Sequence, residues 1–213
     1  MYGLPQAADV RRRVPKAQLF RKTNLSPEDR RVIDETASRI EIVGQISPQT
    51  VPALAARERV KSIFVMKADL KTRTHASRFA ALLLGAIPQH IVLALSFAGE
   101  TRLVVRYGET IESPLFDDED WERRAPLTVR GADLDAVWLR FVGAVAGLEF
   151  GDETVTDETL SAKLRRRAED ERTEARIARL EKQLRAEVQP RRKYDLHRQI
   201  SALKSALMKD RDQ

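Results

Sequence analysis

The sequence predicts an α+β fold: a small mixed or antiparallel sheet with packed helices, followed by a coiled-coil-like C-terminal helical hairpin. Three observations predict it. Two apolar runs, Ile63-Phe64-Val65-Met66 and Ile91-Val92-Leu93-Ala94-Leu95, flank an alanine- and leucine-rich stretch from Ala76 to Ala86. Runs of consecutive apolar residues at this length read as strands buried on both faces, so the stretch between them is expected as a helix in the middle of the core. A third run, Leu103-Val104-Val105, follows across Ala98-Gly99-Glu100-Thr101, a link short enough for an antiparallel hairpin. Beyond Gly151 aromatic residues nearly vanish, charge dominates, and apolar residues recur at spacings of three and four. The expected organisation is an α+β core domain over 1–150 with a basic N-terminal arm, and a charged helical hairpin over 151–213.

Residues 1–24 carry neither helical nor strand periodicity. Arg11-Arg12-Arg13-Val14-Pro15-Lys16 is a short basic cluster, and Pro5 and Pro15 disfavour a continuous helix. Two readings stand side by side: an extended segment packing Val14, Leu19 and Phe20 on the core with its arginines in water, or an arm that contacts phosphates or a partner. Ser26-Pro27-Glu28-Asp29 opens a helix, because serine caps, proline suits the first helical position and acids meet the positive end of the helix dipole. Val32, Ile33, Ala37 and Ile40 are expected on one stripe of that helix. Ile42, Val43 and Ile46, broken by Gly44, read as a short strand.

The first central strand is expected over 60–70. The helix over 72–86 places Phe79, Leu82 and Leu83 in contact spacing and stops at Pro88. Strands over 90–97 and 101–107 follow, with Gly99 in their turn. Thr110 to Glu122 is expected to be irregular, its Asp117-Asp118-Glu119-Asp120 run solvated, and Ala125 to Val129 an edge strand that tolerates Pro126. Asp133 to Ala146 is the clearest amphipathic helix, with Leu134, Val137, Trp138, Phe141, Val142 and Val145 on one side. A long helix, capped by Thr156, is expected to run to about Glu187. Pro190 breaks it, and Leu196, Ile200, Leu203 and Leu207 resume the pattern. The two arms are expected to fold back on each other, pair with another copy as a homodimer, or dock on a partner.

Composition narrows the functional classes. There are no cysteines, which excludes disulfides, thiolate catalysis and cysteine-ligated zinc. No stretch approaches the ~20 apolar residues of a membrane span, and the start has no apolar signal region; the expectation is a soluble, cytoplasmic protein. The 38 Lys and Arg exceed 32 Asp and Glu, giving a formal charge of +6. The excess sits at the ends: eight basic against three acidic residues in 1–31, and sixteen against thirteen in 151–213, around a near-neutral middle. Such ends can meet phosphates or simply face water.

Catalytic chemistry is hard to place. His75, His90 and His197 share no ligand spacing, and no phosphate-binding glycine loop or nucleophile elbow is present. His90, at a strand start, reads as a satisfied rim histidine. Asp69-Leu70-Lys71 closes the first central strand, where restriction-type nucleases carry an acid-x-lysine that holds a divalent metal and activates water. That chemistry needs another acid, such as Glu41 or Glu58. No resident metal or cofactor is expected.

Several stretches together resemble a bacterial family of domains of unknown function, number 4391. They are Leu4-Pro5 with Val14-Pro15-Lys16, Asn24-Leu25-Ser26-Pro27, Ile46-Ser47-Pro48-Gln49-Thr50, Ile87-Pro88-Gln89-His90-Ile91, Gly131-Ala132-Asp133-Leu134-Asp135-Ala136-Val137 and Leu180-Glu181-Lys182-Gln183-Leu184. The chain departs from the pattern at Pro190 and Tyr194. The resemblance implies a context, since members are often encoded beside SNF2-type helicases and DNA methyltransferases in loci that look like restriction or antiphage defence. It carries over no catalytic residues. The expected function is a non-enzymatic accessory or adaptor subunit of such a complex, binding a helicase or methyltransferase and also DNA. The alternatives are a metal-dependent nuclease using Asp69 and Lys71, or a stand-alone DNA-binding module. Expected nucleic-acid contacts are Arg11, Arg12, Arg13, Arg191, Arg192 and Lys193. The expected partner seam is Ile177, Leu180, Leu184, Leu196, Ile200 and Leu203.

Overall fold

A computed structural model describes residues 2–118, 127–151 and 154–211. The chain divides into two units, Met1–Asp157 and Glu158–Gln213. The first is the expected α+β domain. It holds strands β1 (Asp9–Arg13), β2 (Ala37–Ile46), β3 (Ile63–Leu70), β4 (His90–Phe97), β5 (Glu100–Tyr107), β6 (Glu109–Glu112) and β7 (Phe116–Asp117). Its helices are α1 (Lys16–Lys22), α2 (Pro27–Thr36), α3 (Ala76–Ala86) and α4 (Leu134–Val145).

The strands form one mixed sheet in the order β1-β2-β3-β4-β5-β6, with β7 also on β5. β3 and β4 run parallel, joined by the helical crossover that a parallel pair needs, and the other pairs are antiparallel. The apolar runs of β3 and β4 therefore occupy the middle of the sheet. Register assigns Met66, Ala68, Leu93 and Leu95 to one face, where they join Ile33, Phe79, Leu83 and Val104 in a buried cluster beneath α2 and α3. On β3 and β4 the opposite face carries Ile63, Val65 and Val92 at one end and Lys67, Asp69 and Ser96 at the other. β4 and β5 turn on Ala98 and Gly99, at φ 53° and 84°, the left-handed pair that a two-residue hairpin turn requires.

Helix α2 starts as expected, with the Asp29 N–H donating to Ser26 Oγ at 3.1 Å. It ends earlier. Ala37 and Ile40 do not continue its stripe; they lie in β2, opposite Leu70 and Ala68 of β3. The β-branched residues Ile40, Ile42, Val43 and Ile46 favour a pleated, half-buried surface, and β3 supplies the hydrogen-bonding edge. Gly44 does not interrupt the strand. It lies beside a bulge in the register at 42–44, where an added Cβ would strike the Leu4 side chain.

The N-terminal segment is more ordered than its sequence suggests. β1 is an edge strand with an exposed arginine row. An edge strand has little to bury and is guarded by charge, so no apolar alternation marks it. Pro15 stands at the start of α1, where its fixed φ is tolerated. Val14, Leu19 and Phe20 pack on the core while Arg11, Arg12 and Arg13 face solvent. Residues 110–118 contribute most of β6 and all of β7 rather than wholly irregular chain, and 119–122 lie outside the described residues. Residues 125–126 lie outside the described residues, and 127–129 form no strand.

The second unit contains most of α5 (Asp157–Ala186) and all of α6 (Pro190–Arg211), packed together as a helical pair. Ile177 and Ile200 are buried, and Glu181 pairs with Lys204 at 2.8 Å. The turn between them is set by Glu187, whose carboxylate accepts the Val188 and Gln189 N–H groups, both at 2.9 Å. Pro190 then takes the first position of α6. Among the described residues no helix is long and apolar enough to cross a membrane.

Candidate partner and nucleic-acid interfaces

In the first unit the basic arm borders a cleft of about 560 Å³. The pairing register builds it. Arg12 lies opposite Ile42, Ile42 opposite Met66, and Phe64 opposite Ile91, so β1 delivers a guanidinium to the margin of an apolar floor. Helix α1 forms one wall with Gln18, Leu19 and Lys22, and the α3–β4 link forms another with Ile87, Pro88 and Gln89. The α1 wall is fixed in place. Lys16 Nζ donates to the Ala37 carbonyl at 2.6 Å and pairs with the Asp34 carboxylate at 3.1 Å, and Arg30 stacks over Phe20 at 5.8 Å. Lys16 thereby sits at the negative end of α2, where a cation is favoured.

Arg12 and Lys22 make no ion pair or hydrogen bond through their side chains among the described residues, whereas Arg11 pairs with Asp9 at 3.6 Å. Arg13, in register with Glu41, also lines the cleft. Glu41 is engaged by Arg39. The cleft was not legible beforehand, because its lining comes from separate segments and only the arginine cluster stood out in sequence.

The Asp69-x-Lys71 pair is divided between two sets of contacts. Asp69 pairs with Lys67 at 3.2 Å on the sheet face. Lys71 donates to the Asp34 carbonyl at 2.7 Å, and its backbone N–H to the Thr36 carbonyl at 2.8 Å, closing the C-terminal end of α2. Register places Glu41 opposite Lys67, two residues along from Asp69. Glu58 lies in the segment before β3. Among the described residues no group of three or more His, Cys, Asp or Glu side chains is placed to hold a metal ion.

A polar cluster near the start of α4 was not foreseen. The Asp133 carboxylate accepts the Ala136 N–H at 2.9 Å and pairs with Arg57 at 2.9 Å, both of which hold it below the usual carboxylate range. Asp157 is lowered by Arg59 and by the Tyr107 hydroxyl, which donates to it at 2.5 Å. Asp135 is raised by burial and by the neighbouring Asp133. His90, packed edge-on against Trp138 with ring centres 5.0 Å apart, is lowered by burial. The cluster ties β4, β5 and the 57–59 segment to the α4 cap.

In the second unit the turn and the first turns of α6 carry Arg191, Arg192, Lys193 and Arg198, all exposed. Arg192 lies 3.9 Å from Glu187, and Lys193 also acts on that carboxylate electrostatically; Arg191 and Arg198 have no side-chain partner among the described residues. Tyr194 stands among them at 69% exposure and Val188 at 83%. The apolar seam lies along the helical pair, with Ile177 and Ile200 buried and Leu180, Leu184, Leu196 and Leu203 half-buried.

Among curated proteins and solved structures, none matches the chain. The family model described as a domain of unknown function, DUF4391, matches residues 2–207 of 213. That match spans nearly the whole chain in the order the sequence motifs implied, and the chain belongs to this family.

Proposed function

We propose that the chain is a non-catalytic accessory subunit of a bacterial antiphage or restriction-modification assembly. In this reading it binds a helicase or methyltransferase and contacts DNA. The supporting observation is the grouping of cations at one place on each unit: Arg12 and Lys22, both unpartnered, beside an apolar cleft, and Arg191, Lys193 and Arg198 around exposed Tyr194, with Arg191 and Arg198 unpartnered among the described residues. At the helical turn, Arg191 and Arg198 are free to release counterions on meeting phosphate, and exposed Tyr194 among the cations offers a stacking surface. The helicase and methyltransferase partners follow from the family resemblance.

The test begins with the tagged chain purified from its native host after nuclease treatment. Retention of a helicase or methyltransferase supports the reading, and its absence removes the adaptor role. DNA binding by the purified chain is then measured against salt. Arg191→Ala with Lys193→Ala is expected to lower the log–log salt slope by about 2, roughly one per lost phosphate contact. Magnesium in the same assay reads out cleavage; cleavage lost in Asp69→Ala would replace the accessory reading with the nuclease.

A further inference from the structure

We propose that the cleft between α1 and the α3–β4 link is a docking site for an acidic segment of a partner protein that carries one or two large apolar side chains. The proposal rests on the accessory-subunit reading and names what the first unit grips.

Three features of the cleft specify this occupant. Its floor is apolar and belongs to the sheet, through Ile42, Phe64, Met66 and Ile91. A floor of this kind gains from covering apolar side chains and offers nothing to a hydrated phosphate backbone. Its margin carries Arg12 and Lys22 without carboxylate partners. An occupant that seats apolar groups there also desolvates those cations in part, and it must bring negative charge to offset that loss. Its volume of about 560 Å³ lies inside the usual range of ligand and anchor pockets, about 300–1,000 Å³.

The same features argue against a nucleic-acid base. Single-stranded bases are held on aromatic or guanidinium platforms; here the guanidinium groups stand at the margin, and apart from Phe64 the floor a base would stack on is aliphatic. The exposed aromatic ringed by cations is Tyr194, in the second unit. The two surfaces thus differ in chemistry: an aliphatic cleft with free cations at its margin, and a charged turn with an exposed ring. The fixed α1 wall adds a further point. Lys16, Leu19 and Phe20 are already committed to the core, so the cleft is pre-formed and binding does not have to order it.

The test is a selection of randomised twelve-residue displayed peptides on the full-length chain, with Arg12→Glu/Lys22→Glu as the counter-target. Both residues are exposed or half-exposed and unpartnered, so the variant is expected to fold, and circular dichroism checks that it does. Enriched peptides are expected to combine several Asp or Glu with Leu, Ile or Phe, and to bind the variant at least tenfold more weakly. Replacing their acids by Ser, or their apolar residues by Ser, is expected to abolish binding. A second variant, Gln89→Trp, fills the cleft from its wall without altering charge and is expected to weaken the same peptides. Failure to enrich any sequence, peptides lacking either acids or apolar residues, or equal binding to both variants overturns the proposal. So does a single-stranded oligonucleotide that competes for the cleft through Arg12 and Lys22. A negative selection alongside a retained helicase or methyltransferase sinks the docking site alone and leaves the accessory role standing.

Discussion

At the scale of single residues, the fold shows its rules most clearly where a side chain completes the backbone. Ser26 was readable as a cap because a short polar residue before an apolar periodic run accepts otherwise orphaned helix N–H groups, and it does so; Asp133, expected as the first residue of its helix, is in fact its cap. Asp133→Ala is expected to cost about 1 kcal/mol of stability in chemical denaturation. The acid has a depressed pKa, so its contribution is present above the ordinary carboxylate pKa and is lost as pH falls through the lower folded value. The difference in stability between wild type and Asp133→Asn is therefore expected to shrink below about pH 4; a difference that stays constant down to pH 2 would show that the charge contributes nothing. Ala98 is the opposite case. It occupies a left-handed position that costs a non-glycine residue about 1 kcal/mol or more. Ala98→Asn creates the Asn-Gly pair favoured in such hairpins and is expected to stabilise by about 0.5–1 kcal/mol, read as a higher denaturation midpoint. Gly143 takes the Phe150 ring against its backbone. Gly143→Ala would displace that ring and is expected to cost about 1–3 kcal/mol.

At the scale of elements, what could be read from the sequence depended on how much each element buries. β3, α3, β4, β5 and α4 were legible because long apolar runs or a clean three-four period leave one solution. β2 was half hidden. Ala37 and Ile40 extend the three-four spacing begun by Val32 and Ile33, and only the pairing with β3 settles the conflict in favour of a strand. β1 and α1 were not legible, since an exposed edge strand of arginines has no apolar alternation, and α1 is held by Lys16, Leu19 and Phe20 more than by its own periodicity. The cleft was invisible in part for the same reason: one of its walls and its basic margin belong to α1 and β1, the elements the pattern missed. The C-terminal end of α2 is held by two lysines. Lys16 and Lys71 both donate to carbonyls there. Lys71→Met is expected to cost up to about 1 kcal/mol, the usual worth of a cation at a helix C-terminus, with the loss reduced in high salt. A fully neutral substitution would free Lys71 for another role and reopen the acid-x-lysine reading.

At the scale of the whole molecule, the two units differ in what holds them. The first buries contiguous strands between helices, whereas the second is a charged pair whose buried residues between 165 and 208 are Ile177 and Ile200. Sparse burial and short apolar seams leave helices dependent on each other and near the low end of local stability. Amide hydrogens of 165–207 are therefore expected to exchange at least tenfold faster than those of β3, β4 and β5, a gap of about 1.4 kcal/mol or more in opening free energy. The contrast bears on function because a turn that opens readily can order upon a ligand. If Arg191, Lys193 and Arg198 meet DNA, added duplex is expected to slow exchange around 185–200 while leaving β3, β4 and β5 unchanged. High salt should reverse the effect, because the attraction is counterion release. Uniform exchange across both units would contradict the difference in packing. Protection that appears only in the first unit on adding DNA would move the nucleic-acid contact from the helical turn to the arginine arm.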